Sequence, residues 1–319
     1  MFHHRGSFEE LQRGMTARLS VLAAVALWIA LSPSFAAAQQ PGQKTFSSPA
    51  DASQALVAAL ESDEQPDLLS ILGPDAKDIL SSGDASQDQM DRSEFLEKYR
   101  QMHRLVNEPD GTTALYIGAE NWPTPIPIAH HGNAWYFDTP TGKREILYRR
   151  VGRNELAVIQ VCRELVNAEK EYYSRPHDGT PANEYAQRFL SDPGKHNGLY
   201  WETDSEGESP VGRLIASAAA ESDQPSESQD PRPFQGYYFR ILTGQGANEP
   251  EGAHSYIANG RMTRGFAFLA YPAEYRSSGV MTFIVDQRGL VYEKDLGRRT
   301  SEIVKTISSY DHVTWHKAE

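Results

Sequence analysis

A single cysteine, Cys162, stands in a chain of 319 residues, so no disulfide within the chain can hold the fold together. Stability has to come from packing. Cys162 lies on the apolar side of a helical pattern, where a buried core thiol is expected in preference to a nucleophile or an intermolecular bridge. Two-cysteine metal motifs and H-E-x-x-H are missing, as is the G-x-S-x-G of a nucleophile elbow. No structural zinc site and no α/β-hydrolase nucleophile is therefore written in the chain, and no catalytic residue is assigned. Basic charge is scarce too: 31 Lys and Arg face 43 Asp and Glu, a net charge of −12. A surface of that sign repels phosphate backbones and argues against nucleic acid as a partner. Apolar residues at 39% and aromatics at 10% are ordinary values, which speak against global disorder.

Long apolar runs are confined to the beginning. Arg18 precedes an apolar stretch from Leu19 to Leu31, interrupted by Ser20, and then come Ser32-Pro33-Ser34-Phe35 and Ala36-Ala37-Ala38. Charge, apolar core and small residues in that order make a signal peptide, expected to span 1–38 and to be cut after Ala38. The stretch amounts to about 20 Å of helix, short of the ~20 residues that a membrane span needs. Met15 is an alternative start. Removing the leader leaves 28 basic against 41 acidic side chains, a net −13, and enough chain for two modest domains. The expected compartment is the periplasm or the medium, with no membrane span in the mature protein.

Residues 39–46 are polar and read as a mobile lead-in. Ser47 or Ser48 then caps a helix that begins at Pro49 and carries Ala52, Ala55, Leu56, Ala59 and Leu60 at helical spacing. A short helix is expected over Asp67 to Leu72 and a longer one over Asp91 to Val106. After Asp110-Gly111 the period changes to two, predicting strands at Ala114–Glu120, Ile126–His130, Ala134–Asp138 and Glu145–Arg149, with turns at Gly132-Asn133 and Thr141-Gly142. The longest helix is expected from Asn154 to Tyr173. Leu156, Ile159, Cys162, Val166 and Tyr173 form its apolar stripe, with Val158, Val161, Leu165 and Tyr172 beside it. An exposed loop about 203–233 encloses a short helix over Val211–Ala220. Strands follow at Tyr237–Thr243, Gly265–Tyr271, Val280–Val285 and Leu290–Lys294, and a last helix near Ser301–Ser308. Helices followed by an antiparallel meander, twice over, predict an α+β protein with domains at 39–150 and 151–319.

Several strings occur together: Trp122-Pro123-Thr124-Pro125-Ile126-Pro127, Trp135-Tyr136-Phe137-Asp138-Thr139, Gly152-Arg153-Asn154-Glu155-Leu156-Ala157, Gly236-Tyr237-Tyr238-Phe239-Arg240-Ile241-Leu242 and Ser278-Gly279-Val280-Met281-Thr282-Phe283-Ile284-Val285. With them the chain resembles the bacterial domain of unknown function 2950 family over nearly all of its mature length, a likeness that carries no assigned activity. The helix Asn154 to Tyr173, followed by loops and late strands, is also similar to the soluble part of pilins and pseudopilins. That resemblance implies a long helix packed on an antiparallel sheet, although a domain of about 110 residues replaces the pilin membrane half. The N-terminal domain is similar to the cone-shaped fold of the SnoaL-like group.

Candidate chemistry is sparse. His130 and His131 are neighbours on a strand and point to opposite faces, which makes joint metal binding awkward. His177-Asp178-Gly179 and His196-Asn197-Gly198 read as polar loop turns. The acid pairs Glu249/Glu251 and Asp286/Asp295 suit acid–base work only if the fold brings them together. Asn248, Glu249, Glu251 and Asn259 sit among Gly244, Gly246, Gly252 and Gly260, an oxygen-rich loop suited to calcium, the one cofactor considered. Trp122 with Pro123, Pro125 and Pro127 forms a stiff extended segment. It is either a docking surface for a partner, such as another envelope protein, or a core tryptophan beside a proline-protected sheet edge. Two functional readings are open: an exported, non-catalytic binding or scaffold module, and a hydrolase-like or ligand-binding enzyme with a pocket between its domains.

Overall fold

The computed structural model describes residues 39–62, 65–80, 85–180, 182–203, 207–219 and 232–318, with backbone alone at 85–87. The expected signal peptide and much of the expected loop at 203–233 lie outside these residues. The chain divides into two compact units, Met1–Lys143 and Arg144–Glu319, seven residues ahead of the expected boundary at 150. Helices and antiparallel sheets make the protein α+β. No described helix is long and apolar enough to cross a membrane.

In the N-terminal unit, helix α1 (Pro49–Ser62) starts where its sequence places it. The Ser48 hydroxyl accepts the Asp51 N–H at 3.1 Å, and Pro49 takes the first helical position, where its missing N–H leaves nothing unpaired. Ala52, Leu56 and Ala59 share one face and bury against Leu68, Ile71 and Leu72 of α2 (Gln65–Leu72). A single turn, α3 (Lys77–Leu80), precedes α4 (Ala85–Gln101). The helix expected to reach Val106 stops earlier, because Leu105 and Val106 belong to strand β1 (His103–Asn107). They pair there with Leu115 and Ala114 of β2 (Thr113–Ile117). Strands β3 (Trp122–Pro123), β4 (Ile128–His131) and β5 (Ala134–Phe137) complete an antiparallel sheet ordered β1-β2-β4-β5, with β3 beside β2.

The lead-in is fixed, contrary to the expectation of mobility. Gln43 is buried, and its amide nitrogen donates to the carbonyls of Ile71 at 3.1 Å and Phe137 at 2.8 Å. Its oxygen accepts the Gln40 N–H at 3.1 Å, so every polar atom of this buried side chain is matched. Phe46 exchanges both backbone hydrogen bonds with Trp135, at 2.8 and 2.9 Å. Polar composition concealed a docked segment.

Helix α5 (Thr139–Tyr173) is 35 residues long and absorbs both the strand expected at Glu145–Arg149 and the turn expected at Thr141-Gly142. Asp138 starts it: its carboxylate accepts the Thr141 N–H at 3.1 Å and the Thr141 hydroxyl at 2.7 Å. Glu145 and Arg149 then pair at 2.7 Å one helical turn apart, an arrangement no strand provides. Gly142 is there for space. A Cβ at this position would lie 2.5 Å from Ile126 Cγ1 and 2.9 Å from Ile126 Cα.

In the C-terminal unit, Val158, Ile159, Cys162, Leu165 and Val166 of α5 share one buried cluster with four aromatic residues of the sheet. These are Tyr237 and Phe239 of β6 (Tyr237–Leu242), Phe268 of β11 (Ala267–Pro272) and Phe283 of β12 (Met281–Asp286). Together with β13 (Val291–Asp295) and β14 (His316–Lys317), these strands form an antiparallel sheet ordered β14-β13-β12-β11-β6. The Glu155 carboxylate accepts the N–H groups of Val280 and Met281 at 2.8 and 3.0 Å, tying the helix to the start of β12. The expected spine is thus clasped by the late strands. One residue of its predicted stripe, Leu156, faces outward at 64% exposure. Strand pairs β7 (Gly244–Gln245) with β8 (His254–Ser255), and β9 (Ile257–Ala258) with β10 (Arg261–Met262), make two small ribbons. The short helix expected near 211–220 is the single turn α6 (Arg213–Ala216). The expected last helix is another, α7 (Thr300–Ile303), between 3₁₀ turns at Gly297–Arg299 and Val304–Thr306.

Candidate functional site

A cavity of about 600 Å³ opens in the N-terminal unit. Its walls follow from local periodicity. Leu56 and Leu60 are one turn apart on α1, and Leu68 and Leu72 one turn apart on α2, so each helix contributes a pair to the same side. Ile79 and Leu80 close one end from α3. Helix α4 offers Asp88, Asp91, Arg92 and Phe95, all within two turns on one face, so it brings an apolar ring and three charges together. The segment 122–126 adds Trp122, Thr124, Pro125 and Ile126 to the lining, and Phe137 of β5, 1% exposed, completes it.

The proline segment is held against the sheet by its few donors. Trp122 and Pro123 pair with Ile117 and Tyr116, and the Thr124 N–H donates to the Leu115 carbonyl at 2.7 Å. Of the four residues weighed as a docking surface, Trp122 and Pro125 line the cavity. Pro123 sits in β3, and the Pro127 carbonyl accepts the Asp138 N–H at 2.9 Å, just before α5 begins. Trp122 remains 41% exposed, so it is a wall residue and not a core one. The charged rim has order of its own: Arg92 Nε donates to the Asp88 carbonyl at 3.4 Å. Gln65 and Thr124 supply the remaining polar lining.

A different convergence lies in the C-terminal unit. Glu249, 3% exposed, accepts the His312 N–H at 2.9 Å and meets His312 Nδ1 at 2.5 Å through one oxygen. Its other oxygen lies 3.3 Å from Arg288 Nη2, and Arg288 Nε donates to Asp286 at 2.6 Å. The acid pairs suggested by the sequence were Glu249/Glu251 and Asp286/Asp295; the fold instead couples Glu249 with Asp286 through Arg288. Burial pushes the Asp286 carboxyl above its ordinary range, against the pull of the Arg288 backbone N–H and guanidinium. Among the calcium candidates, Glu249 is committed to Arg288 and His312, and the Asn248 amide donates to Asp311 at 2.8 Å. Asn259, with a φ of 54°, and Gly260, at 77°, form the β9–β10 turn, while Glu251 is exposed. Among the described residues, no three His, Cys, Asp or Glu side chains gather to hold a metal.

Two histidines read as loop turns are buried. His177 stacks on Tyr172 at 4.0 Å, and His196 meets Trp201 edge-on at 4.7 Å. His177 Nε2 contacts the Tyr172 carbonyl at 2.9 Å, and the Asp178 carboxylate accepts the His196 N–H at 3.0 and 3.1 Å. Burial holds the His177 pKa below its usual value, which favours a neutral ring in a packed loop. Their signal in the sequence was slight: each precedes a turn, and the aromatic partners lie elsewhere along the chain. His130 tilts onto Trp135 at 4.5 Å, and His131 is exposed.

The family model described as "Protein of unknown function (DUF2950)" matches residues 43–318. The chain belongs to this family. The DUF2950 match starts at Gln43, the side chain that docks on Ile71 and Phe137. It ends at Ala318, whose N–H donates to the Val291 carbonyl at 3.0 Å. It therefore encloses both units' packed cores, the cavity and the Glu249–Arg288–Asp286 network. No curated protein and no solved structure matches the chain.

Proposed function

We propose that this DUF2950 protein is an exported, non-catalytic binding module of the bacterial envelope, and that the cavity of its N-terminal unit is the ligand site. One observation carries the reading: about 600 Å³ of concave space walled by aliphatic and aromatic side chains, with few polar groups. That volume and that ratio of apolar wall to polar rim are those of sites for small organic molecules. The polar groups in the lining are Gln65, Asp88, Asp91, Arg92 and Thr124, a set able to orient a ligand. The leader-like start of the chain motivates the export element of the reading.

The test is titration of the mature chain with the uncharged dye N-phenyl-1-naphthylamine, followed by its fluorescence. One saturable site per chain is expected. Trp122→Ala, which removes a wall, and Leu60→Trp, which fills the space, should each weaken it by about tenfold or more while native melting is retained. Absence of saturable binding, or equal binding in both folded variants, refutes the assignment. A second reading, a hydrolytic enzyme, draws support from the pairing of His312 with buried Glu249, a carboxylate that orients an imidazole. Hydrolysis of an activated ester that is lost in His312→Gln is the outcome that would favour it.

A further inference from the structure

We infer that the ligand of the N-terminal cavity is a small lipophilic cation, an apolar body bearing one positive head. The inference rests on the reading of this cavity as a ligand site and adds the sign of charge. Charge at two scales gives the sign, and the backbone donors of the proline segment bear on the size. The mature part of the N-terminal unit, residues 39–143, holds seven basic and sixteen acidic side chains, a net charge of −9 in the sequence. The remaining 176 residues carry only −4. The field at the cavity mouth is therefore attractive to cations, and low-dielectric walls focus it.

The mouth itself repeats that sign. Asp88 and Asp91 line the cavity with Arg92 of the same helix, so the balance of these three is one negative charge, and the 41% exposed Trp122 lines the same cavity. An indole face attracts ammonium groups through its quadrupole. An anionic head would meet Arg92 but also two carboxylates.

The proline segment favours a small molecule over a peptide. Pro123, Pro125 and Pro127 have no N–H, and the Thr124 N–H is already spent on Leu115. Over 123–127 that leaves Ile126 as the one other donor, so β-augmentation, the usual way a sheet edge captures an extended peptide, is short of donors here. What remains is apolar volume under a negative mouth.

The experiment uses the mature chain and three probes of equal tail length, all below their micelle concentrations: octyltrimethylammonium, octanol and octyl sulfate. Each is titrated by calorimetry and by displacement of N-phenyl-1-naphthylamine. The ammonium is expected to bind about five- to tenfold more tightly than the alcohol, and the sulfate weakest. The ammonium-to-alcohol ratio should fall several-fold in Asp88→Asn/Asp91→Asn and in Trp122→Leu, and on raising ionic strength from about 0.05 to 0.5 M. Equal binding of ammonium and alcohol overturns the cation while leaving the cavity a ligand site. Preference for the sulfate overturns it likewise and assigns the mouth to Arg92. Binding of none of the three, with no dye uptake, removes both readings. Tight binding of a basic, leucine-rich peptide, with the ammonium inert, replaces the small cation by a peptide.

Discussion

Replacing Glu169 by glutamine should leave stability near pH 4 almost unchanged and raise it progressively as the medium becomes more alkaline. Glu169 lies on α5 with 0% exposure; one carboxyl oxygen accepts the Ala186 N–H at 2.9 Å, and the other has no partner. Burial pushes its pKa well above the ordinary value, and the single hydrogen bond opposes that only in part. The folded state therefore holds a proton that the unfolded chain releases near pH 4.3. For a carboxyl raised in this way, stability is fully present below the unfolded pKa. It declines as pH climbs toward the folded pKa, by up to about 1.4 kcal/mol per pH unit. Glutamine keeps the carbonyl acceptor for Ala186, places an N–H₂ where the protonated acid has its O–H, and does not titrate. The difference in unfolding free energy between the variant and the parent is thus a ramp, flat near pH 4 and rising with that limiting slope. Tyr172 and Tyr185, which also feel Glu169, are themselves raised by burial and do not titrate in this range. The assay is urea unfolding of the chain from Gln39 onward at unit pH intervals from 4 to 8, followed by circular dichroism. A flat difference across the range, or a glutamine variant less stable than the parent at pH 8, refutes the argument. Glu169→Ala separates charge from packing: it strands the Ala186 N–H and opens a void, and should be destabilised by about 2–4 kcal/mol even at pH 4.

Other outcomes follow from the same physics. Cys162 is 0% exposed and burial pushes its thiol up to about 12, so a thiol reagent should label it only after denaturation; labelling of the native chain at pH 8 contradicts the core assignment. Gly142→Ala should destabilise by about 1–3 kcal/mol in thermal unfolding, because contact with Ile126 outweighs the gain in helix propensity; a rise in melting temperature contradicts this. Arg288→Met leaves two carboxylates, Glu249 and Asp286, buried at 1% and 5% side-chain exposure without their shared cation. A loss of about 2–3 kcal/mol in urea unfolding at pH 8 is expected, below that of a fully buried pair because the guanidinium is 44% exposed. An unchanged midpoint would show that the network contributes nothing.

Local chemistry was legible wherever it stays local. Ser48 and Pro49 mark the start of α1, the Gly132-Asn133 turn separates β4 from β5, and the apolar stripe of α5 points to the partners it clasps. The misreadings share a cause. Glu145–Arg149 alternates like a strand and Thr141-Gly142 looks like a turn, but the Asp138 cap and the tight approach of Ile126 make both helix. The Trp-Pro segment stood out by stiffness, but nothing in it announced a cavity in the N-terminal unit. The helical part of the lining, from Leu56 on α1 to Phe95 on α4, shows in the sequence only as helix faces.

By itself the chain determined the α+β class, the family, the reliance on packing in place of disulfides and the acidic bias of the first unit. Each of these depends on composition or on residues a few positions apart. Only the tertiary structure decided that Trp122 and residues of α4 line one cavity, that Glu249 meets Asp286 through Arg288, and that Glu169, His177 and His196 are buried. Those facts depend on which distant segments come into contact. Burial and the electrostatics that follow from it arise from a three-dimensional environment that no short window of sequence contains.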